Sequence, residues 1–583
     1  MKEVVVTGAR YKSRLNKIPA SITIIDSNEI KAADDINILP VLSTQVPGLF
    51  VNSKNIAGYG VGPDAGGQLS IRGIGGNPNS GILVLIDGQP QFMGIFGHPI
   101  VDALNSSDIQ RVEIIRGASS VLYGSNALGG AVNIITRQPQ FNKISLRVSS
   151  NYGAFKTFGL SASAGYRDKL FGFFSSFNNI STDGYRTDAQ DGFRTTAGYL
   201  KLTFTPRGAF QFYADGDISN SKYYDPGTIY GPTVNNYYKY LRTRGSLSAE
   251  NSFKDVHGAL RFFYSYGDHN FFNGWHSIDE MKGITFYQNI NYYAKNIFTF
   301  GVDYKNYGGK GTQPGLPPFV AKGLGSYYSA NETAVYGLIN YSPVSQLNLE
   351  TGIRFTKNSL SGSDLTPDVG MTYSFDNTTT VKALISKAFR NPTINELYLF
   401  PVSNPNLKPE HVWNYEISLD KFLLNGYLDV NLTAYYDRGD NLIVATPPFN
   451  TNTNSGKFIH KGIELAGKYF VNNNFNFSLD YSFLKTDIPA LYAPKHKINV
   501  RLNYAYKMFS LIVNMQQVSG LYTSLEDFKT ESYFTTDLTV NYAATDFLKI
   551  YLKGGNILNK NYQIDFGYPM PGRTIAAGIS IEH

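Results

Sequence analysis

Leu428-Asp429-Val430-Asn431-Leu432-Thr433-Ala434-Tyr435-Tyr436 places an apolar side chain at every second position. Successive side chains of a β-strand point to opposite faces, so this stretch has one apolar and one polar face. The same period recurs upstream in Ile144, Leu146 and Val148 and in Leu160, Ala162, Ala164 and Tyr166. Downstream it recurs in Leu548, Ile550 and Leu552 and in Ile575, Ala577, Ile579 and Ile581. A soluble sandwich alternates too, but three features favour a membrane barrel. The segments approach the roughly 9–11 residues of a tilted spanning strand. They continue from about residue 139 without an intervening helix, and Tyr and Phe gather near their ends as an interfacial girdle would. About 440 residues, at about 20 per strand and connection, give roughly 22 strands, the size of a plugged outer-membrane transporter.

Composition agrees. Tyr and Phe number 42 and 39 against two Trp, and mean hydropathy is only −0.21. No run of 18 apolar residues occurs, so a transmembrane helix is not expected. A barrel reaches such an average because its lipid face alternates with a polar lumen face. The chain has no cysteine, which excludes a disulfide framework and Cys-ligated metal. The net charge of +7 is dispersed, giving no support for nucleic-acid binding. Met1 is followed at once by Lys2 and Glu3, and is read as the start of a mature chain after signal removal.

Residues 1 to about 138 have another texture. Ile22–Ile25, Leu83–Ile86, Val112–Ile115 and Val132–Ile135 are continuous apolar runs, as in strands buried on both faces, mixed with helix-capable pieces. Beyond them, short polar connections such as Val471–Asn474 and Asn425-Gly426 suit periplasmic turns. Long Gly-, Pro-, Tyr- and Asn-rich connections at 223–242, 267–283, 307–331, 398–412 and 444–457 suit extracellular loops.

Four motifs follow in order: Leu69-Ser70-Ile71-Arg72-Gly73, then Ile82 through Pro90 with Asp87-Gly88, then Ile109 through Gly117, then Val121 through Thr136. Together they resemble the plug of TonB-dependent receptors. Phe389-Arg390-Asn391-Pro392 through Tyr398, Asn404 through Glu410, and the tail from Asn556 to Tyr562 with Pro571-Gly572-Arg573 are similar to the barrel signatures of that family. One departure is the ending Ile581-Glu582-His583, where such barrels usually end on an aromatic residue; it is read as a trimmed or vector-derived terminus. The resemblance implies a mainly β fold: a transmembrane antiparallel β-barrel of about 22 strands occluded by an N-terminal mixed α/β plug. The expected divisions are a coupling segment at 1–8, a plug at 9–138 and a barrel at 139–583.

Glu3-Val4-Val5-Val6-Thr7 resembles a TonB box, since a short β-branched strand can add to the edge of a partner's sheet. The alternative is an ordinary first plug strand. Arg72, Arg111, Glu113 and Arg116 lie among buried apolar strands. A buried charge needs a partner, so they are candidates to pair with barrel carboxylates such as Glu396, Glu410 and Glu416. The alternative is that they face lumen water.

For ligand binding, the loop Gln91–Pro99 offers Phe92, Met93, Phe96 and His98, and the resemblance points it toward the extracellular mouth. Met93 and His98 are soft or borderline donors, suited to haem iron, copper or cobalt; the alternative is a packed aromatic loop. His269 and His276, with Trp275, fall in an expected extracellular loop as further ligand candidates, or as solvated side chains. No histidine lies between Phe389 and Asn404, which weakens a haem reading.

No HExxH, nucleophile elbow or Walker A occurs, and the Gly58–Gly62 loop lacks a surrounding βαβ unit, so no enzyme is expected. The resemblance implies a monomeric, multi-pass outer-membrane importer with a periplasmic N-terminus, powered by TonB with ExbB/ExbD. Its surroundings would be lipid and lipopolysaccharide, with a surface lipoprotein as a further partner. No intrinsic cofactor is expected. Ferric siderophore or another iron chelate ranks first as cargo, with haem, cobalamin and copper behind, so the cargo carries iron, cobalt or copper. The rivals from another class are a passive porin and a surface adhesin.

Overall fold

The computed structural model describes residues 4–6, 10–33, 35, 37–61, 65–76, 80–139, 142–206, 208–292, 296–446 and 451–583. Twenty-two antiparallel strands, from Lys143–Gly153 to Thr574–Glu582, form a closed barrel. The first and last strands seal it, with Arg147 opposite Glu582 and Gly153 opposite Ala576. Among the described residues no helix is long and apolar enough to cross a membrane. Outward side chains such as Leu200, Leu202, Ile218 and Leu247 are half exposed, as a lipid-facing surface requires.

Inside sits the N-terminal domain. Its five-stranded sheet runs in the order Ser21–Ile25, Ile109–Arg116, Gly130–Thr136, Ile82–Ile86 and Gln89–Pro90. Only the Gly130–Thr136 and Ile82–Ile86 pair is parallel. The continuous apolar runs have a direct explanation. Ile82, Val84 and Ile86 enter the domain's own core with Leu39, Leu42 and Val132. Leu83 and Leu85 point the other way, joining Ile115 and Ala131 against Phe263, Tyr307 and Tyr336 of the barrel wall. Both faces are buried, so alternation has no use there. Helix Leu39–Gln45 turns Leu39, Val41 and Leu42 inward, and Asn37 Oδ1 accepts from the Leu39 amide at 2.9 Å.

Turns at one barrel end are short. Asn425 and Gly426 both take positive φ, and in Val471–Asn474 the Asn472 side chain accepts from the Asn474 and Phe475 amides at 2.8 and 2.9 Å. The other end carries the long connections, most of them shorter than expected; the one before Glu410 instead begins earlier, after Arg390. The expected loop 267–283 is mostly ladder: Val256–Phe271 and His276–Tyr292 are strands joined by four residues. Likewise strands Phe210–Tyr224 and Tyr237–Ser252 enter the expected loop 223–242, and strands Asn296–Thr312 and Tyr327–Val344 enter 307–331. The strand Glu410–Leu423 begins inside 398–412, and 447–450 lie outside the described residues. Backbone pairing continues past the lipid belt while the side chains become polar on both faces, so the hydropathy period ends before the strand does.

Candidate functional site

The plug meets the barrel through buried charge. Arg72 follows the strand Leu69–Ile71 at positive φ, which turns its side chain out of the plug. Its Nη1 donates to Glu416 at 2.6 Å; Nη2 and Nε grip both oxygens of Glu464 at 3.0 and 3.2 Å. The guanidinium also lies 4.2 Å from the Tyr435 ring centroid. Burial alone would push Arg72 down, but Glu464 and Glu416 outweigh it and hold the group well above its ordinary value. Arg116 donates to the same Glu464, and Glu416 accepts the Ser21 amide at 3.0 Å. Thus Arg72, Arg116 and Glu416 meet at one place, with Glu464 as the member the sequence reading missed. Its signal was present: Glu464 sits between Ile463 and Leu465, an acid at an inward position of an alternating strand.

Other placements differ from expectation. Arg111 pairs with Glu113 at 2.7 Å, two residues along the same plug strand, where i and i+2 share a face. Glu396 and Glu410 do not hold a plug arginine; both hold Arg390 of the barrel. Glu396 grips it at 2.9 Å through each oxygen and also closes a capping box with Thr393 at the start of helix Ile394–Tyr398. Arg390 reaches the plug through Ser80 Oγ at 3.1 Å.

A second contact surrounds Asp87, at positive φ in the turn after Ile82–Ile86. Lys201 donates to it at 2.9 Å, the Thr136 hydroxyl at 2.6 Å, and Arg261 binds its carbonyl at 2.8 Å. Burial would raise Asp87, but Lys201 and Thr136 prevail and hold it far below the carboxylate range. Around it, between plug and wall, lies a cavity of about 1010 Å³ lined by Arg10, Arg111, Lys201, Glu250 and Arg261.

The loop Gln91–Pro99 packs against the wall instead of offering open ligands. Phe92 meets Tyr307 edge-on at 5.5 Å. Met93 is buried with Val61, Phe193, Tyr223 and Tyr240. The Gly94 amide donates to Asp279 at 2.9 Å, and Asp279 accepts from Arg242 at 2.8 Å. His98 Nδ1 is 3.2 Å from the Pro99 carbonyl oxygen, and burial pushes the ring below its ordinary pKa. Among the described residues no three His, Cys, Asp or Glu side chains converge as a metal site. His269 lies in a strand, fully buried, 4.0 Å from Asp279. His276 faces outward and pairs with Asp268 at 3.2 Å. Neither lies in the expected loop, because the ladder extends through both positions.

Aromatic rings gather above that loop. Trp275 stacks on Phe400 at 5.7 Å and approaches Phe96 at 6.0 Å, and Tyr328 stacks on Tyr398 at 4.7 Å. At the N-terminus, Glu3 and Thr7 lie outside the described residues. Val4–Val6 pairs antiparallel with Tyr11–Ser13, Val4 opposite Ser13. Arg10 then anchors the segment: its side chain donates to the Leu122 carbonyl at 2.7 Å, and the Arg10 carbonyl accepts from the Asn289 side chain at 2.9 Å.

Two family models match this chain. "TonB-dependent Receptor Plug Domain" matches residues 14–131, and "TonB dependent receptor-like, beta-barrel" matches 140–557. Among solved structures, a ferric enterobactin receptor from Pseudomonas aeruginosa superposes with a TM-score of 0.82 at 16% identity, covering 100% of each chain. The siderophore receptor PirA from Acinetobacter baumannii gives 0.81 at 16%, covering 96% of this chain and 98% of that one. The ferric yersiniabactin uptake receptor FyuA from Yersinia pestis gives 0.80 at 15%, covering 97% and 98%. At these identities the likeness is one of fold.

Proposed function

The chain belongs to the TonB-dependent receptor family, and so to the bacterial outer membrane, and from that premise we propose that it imports a ferric siderophore or another iron chelate. The observation that carries the reading is the charged seam of Arg72, Arg116, Glu416 and Glu464 between plug and wall. A passive pore has no use for a filled lumen. An importer needs a plug that is held in place yet can be displaced. Polar pairs re-solvate when pulled apart, whereas an apolar interface of the same area would resist throughout.

In this reading the long connections face outward and the N-terminus faces the periplasm. Cargo settles on the aromatic shelf of Phe96, Trp275, Phe400, Tyr328 and Tyr398. Its binding frees the Val4–Val6 strand from Tyr11–Ser13. The freed edge pairs with TonB, which is powered through ExbB/ExbD, by strand addition, and the pull breaks the seam. The structural likeness to a ferric enterobactin receptor and a ferric yersiniabactin uptake receptor supports an iron chelate ahead of haem, cobalamin or copper. Any metal is cargo, not cofactor.

Deleting residues 3–7 tests this in cells fed a panel of catecholate, hydroxamate and phenolate ferric siderophores carrying radioactive iron. The expected result is loss of uptake with surface binding retained. Uptake that survives the deletion identifies a porin-like path, and no uptake of any panel member by the intact chain refutes the iron-chelate reading.

A further inference from the structure

The cavity of about 1010 Å³ between plug and wall reaches the short-turn end of the barrel, where Thr205, Ser252 and Asn291 line it. The Asp87-Gly88 turn belongs to its lining too. Five guanidinium or ammonium groups line the cavity against three carboxylates, and each carboxylate is already held. Lys201 holds Asp87 at 2.9 Å, Arg261 holds Glu250 at 2.8 Å, and Arg244 holds Asp215 at 2.6 Å. Arg111 is answered by Glu113 at 2.7 Å. Two cations are left over: among the described residues no carboxylate lies within ion-pair distance of Arg10 or Arg167. The Arg10 guanidinium instead sits among the rings of Tyr123, Tyr287 and Tyr336, at 5.1, 5.3 and 5.6 Å from their centroids. Arg167 reaches the Gln138 side-chain oxygen at 3.5 Å.

The uncharged groups lean the same way. Asn133 Nδ2, Gln211 Nε2 and Arg10 Nε are buried donors without a hydrogen-bond partner, on residues that line the cavity. The Thr205 hydroxyl is also unpartnered and can donate. Among the described lining residues no carboxylate or amide oxygen is buried without a partner. Buried donors call for acceptors. Terminal amide torsions are soft, so Asn133 and Gln211 can turn toward a guest. Surplus positive charge and unanswered donors together select an oxygen-rich anion. Volume selects its size: pockets for drug-sized ligands run to about 300–1,000 Å³, far more than a phosphate ion fills.

We propose that this cavity is a second station for the cargo and binds a negatively charged iron chelate. The inference rests on the import reading and narrows its substrate class. Cargo leaving the aromatic shelf passes the Asp87-Gly88 turn and comes to rest where Arg10 and Arg167 answer its outer oxygens. A ferric tris-catecholate is a trianion, since its six phenolate oxygens carry twice the charge of the iron. A ferric tris-hydroxamate is neutral and finds no such hold. Arg10 lies between the strands Val4–Val6 and Tyr11–Ser13. The pull that peels away Val4–Val6 therefore also withdraws a guanidinium from the cavity, and the chelate loses a counter-charge as the path to the periplasm opens.

The chain has no cysteine, so a single one can carry a fluorophore that nearby iron quenches. Ser252→Cys places it at the cavity, and Phe319→Cys, in a separate sample, at the long-connection end. Ferric tris-catecholate, ferric tris-hydroxamate and inorganic phosphate are added to the detergent-solubilised full chain. The tris-catecholate is expected to quench the Ser252 label saturably, and the tris-hydroxamate roughly tenfold more weakly or less. Asn133→Asp keeps the oxygen that accepts the Gly88 amide at 3.0 Å but turns the unpartnered donor into a negative oxygen. Together with Gln211→Glu it is expected to weaken that quenching by roughly thirtyfold, and each change alone by roughly fivefold. Heat-modifiable gel migration checks that each barrel is folded. A folded double variant that binds within twofold of the parent overturns the proposal, as does equal quenching by the neutral chelate or quenching confined to the Phe319 label. Displacement by an equal concentration of phosphate overturns the choice of a chelate. Uptake by whole cells is scored separately. Import without quenching at Ser252 ends the second station and leaves the import reading standing, while quenching at Ser252 without import does the reverse.

Discussion

Replacing Glu464 by Gln removes one of two carboxylates that balance two buried arginines. In the native seam Arg72 and Arg116 face Glu416 and Glu464, and the side chains of Arg72 and Glu464 are fully buried. After the change Glu416 still holds Arg72, and one guanidinium is left without a counter-charge. Breaking a buried pair from one side costs about 3–5 kcal/mol, because the stranded ion keeps its desolvation penalty. At about 1.4 kcal/mol per tenfold, plug opening becomes more frequent by a factor of roughly 10² to a few times 10³. Hydrogen exchange followed by mass spectrometry reads this directly, since local opening sets the exchange rate. Peptides covering Leu69–Ile71 and Ile109–Arg116 should exchange faster by that factor, with barrel strands unchanged. Adding Arg116→Gln should recover part of the loss, because the unpaired cation is then gone. Plug exchange within threefold of the parent would refute the reasoning, and equal loosening of the barrel would show the effect to be global.

Asp102 and Asp108 of the plug are both pushed up to about 6 by burial, against hydrogen bonds from Tyr240 and Tyr59 in one case and Ser176 and Ser107 in the other. Acids with raised values bind protons more tightly in the folded plug, so their burden is absent below the ordinary value near 3.8, grows as pH rises to about 6, and is constant above. Plug protection around residues 100–108 should therefore fall across that window, and Asp102→Asn should flatten part of the slope; protection that rises with pH there would contradict the account. Gly94→Ala would place a Cβ 2.3 Å from the Gly308 carbonyl oxygen and 2.9 Å from that of Glu280, both backbone atoms. Such overpacking costs about 1–3 kcal/mol, to be read as faster exchange of 91–99, and an unchanged rate would show that the loop yields freely. Trp275→Ala removes the stack on Phe400 and should weaken ferric siderophore binding at least tenfold while leaving the heat-modifiable barrel intact; undiminished binding would take the shelf out of the ligand site.

The sequence alone determined the barrel, its size and a separate N-terminal α/β domain, and the resemblance of that domain's motifs implied that it plugs the lumen. Those properties are written as local periods: two in Leu428–Tyr436, none in Ile82–Ile86 where both faces are buried. It also marked Arg72, Arg116 and Glu416, because charges embedded in apolar strands must be answered. Partnership was decided only in three dimensions. Nothing local says that Glu464, 392 positions from Arg72, closes the seam, or that Glu396 and Glu410 answer Arg390 instead. Nor could residue types alone separate His269 as a buried wall residue from a loop ligand, since backbone pairing outlasts the hydropathy period. Arg194, Lys222 and Lys239 stand side by side on three neighbouring strands only through register, which aligns side chains far apart in the chain. Burial and periodicity act between near neighbours and leave a trace in the sequence, while charge pairing and register act across the lumen and the wall and are fixed when the barrel closes.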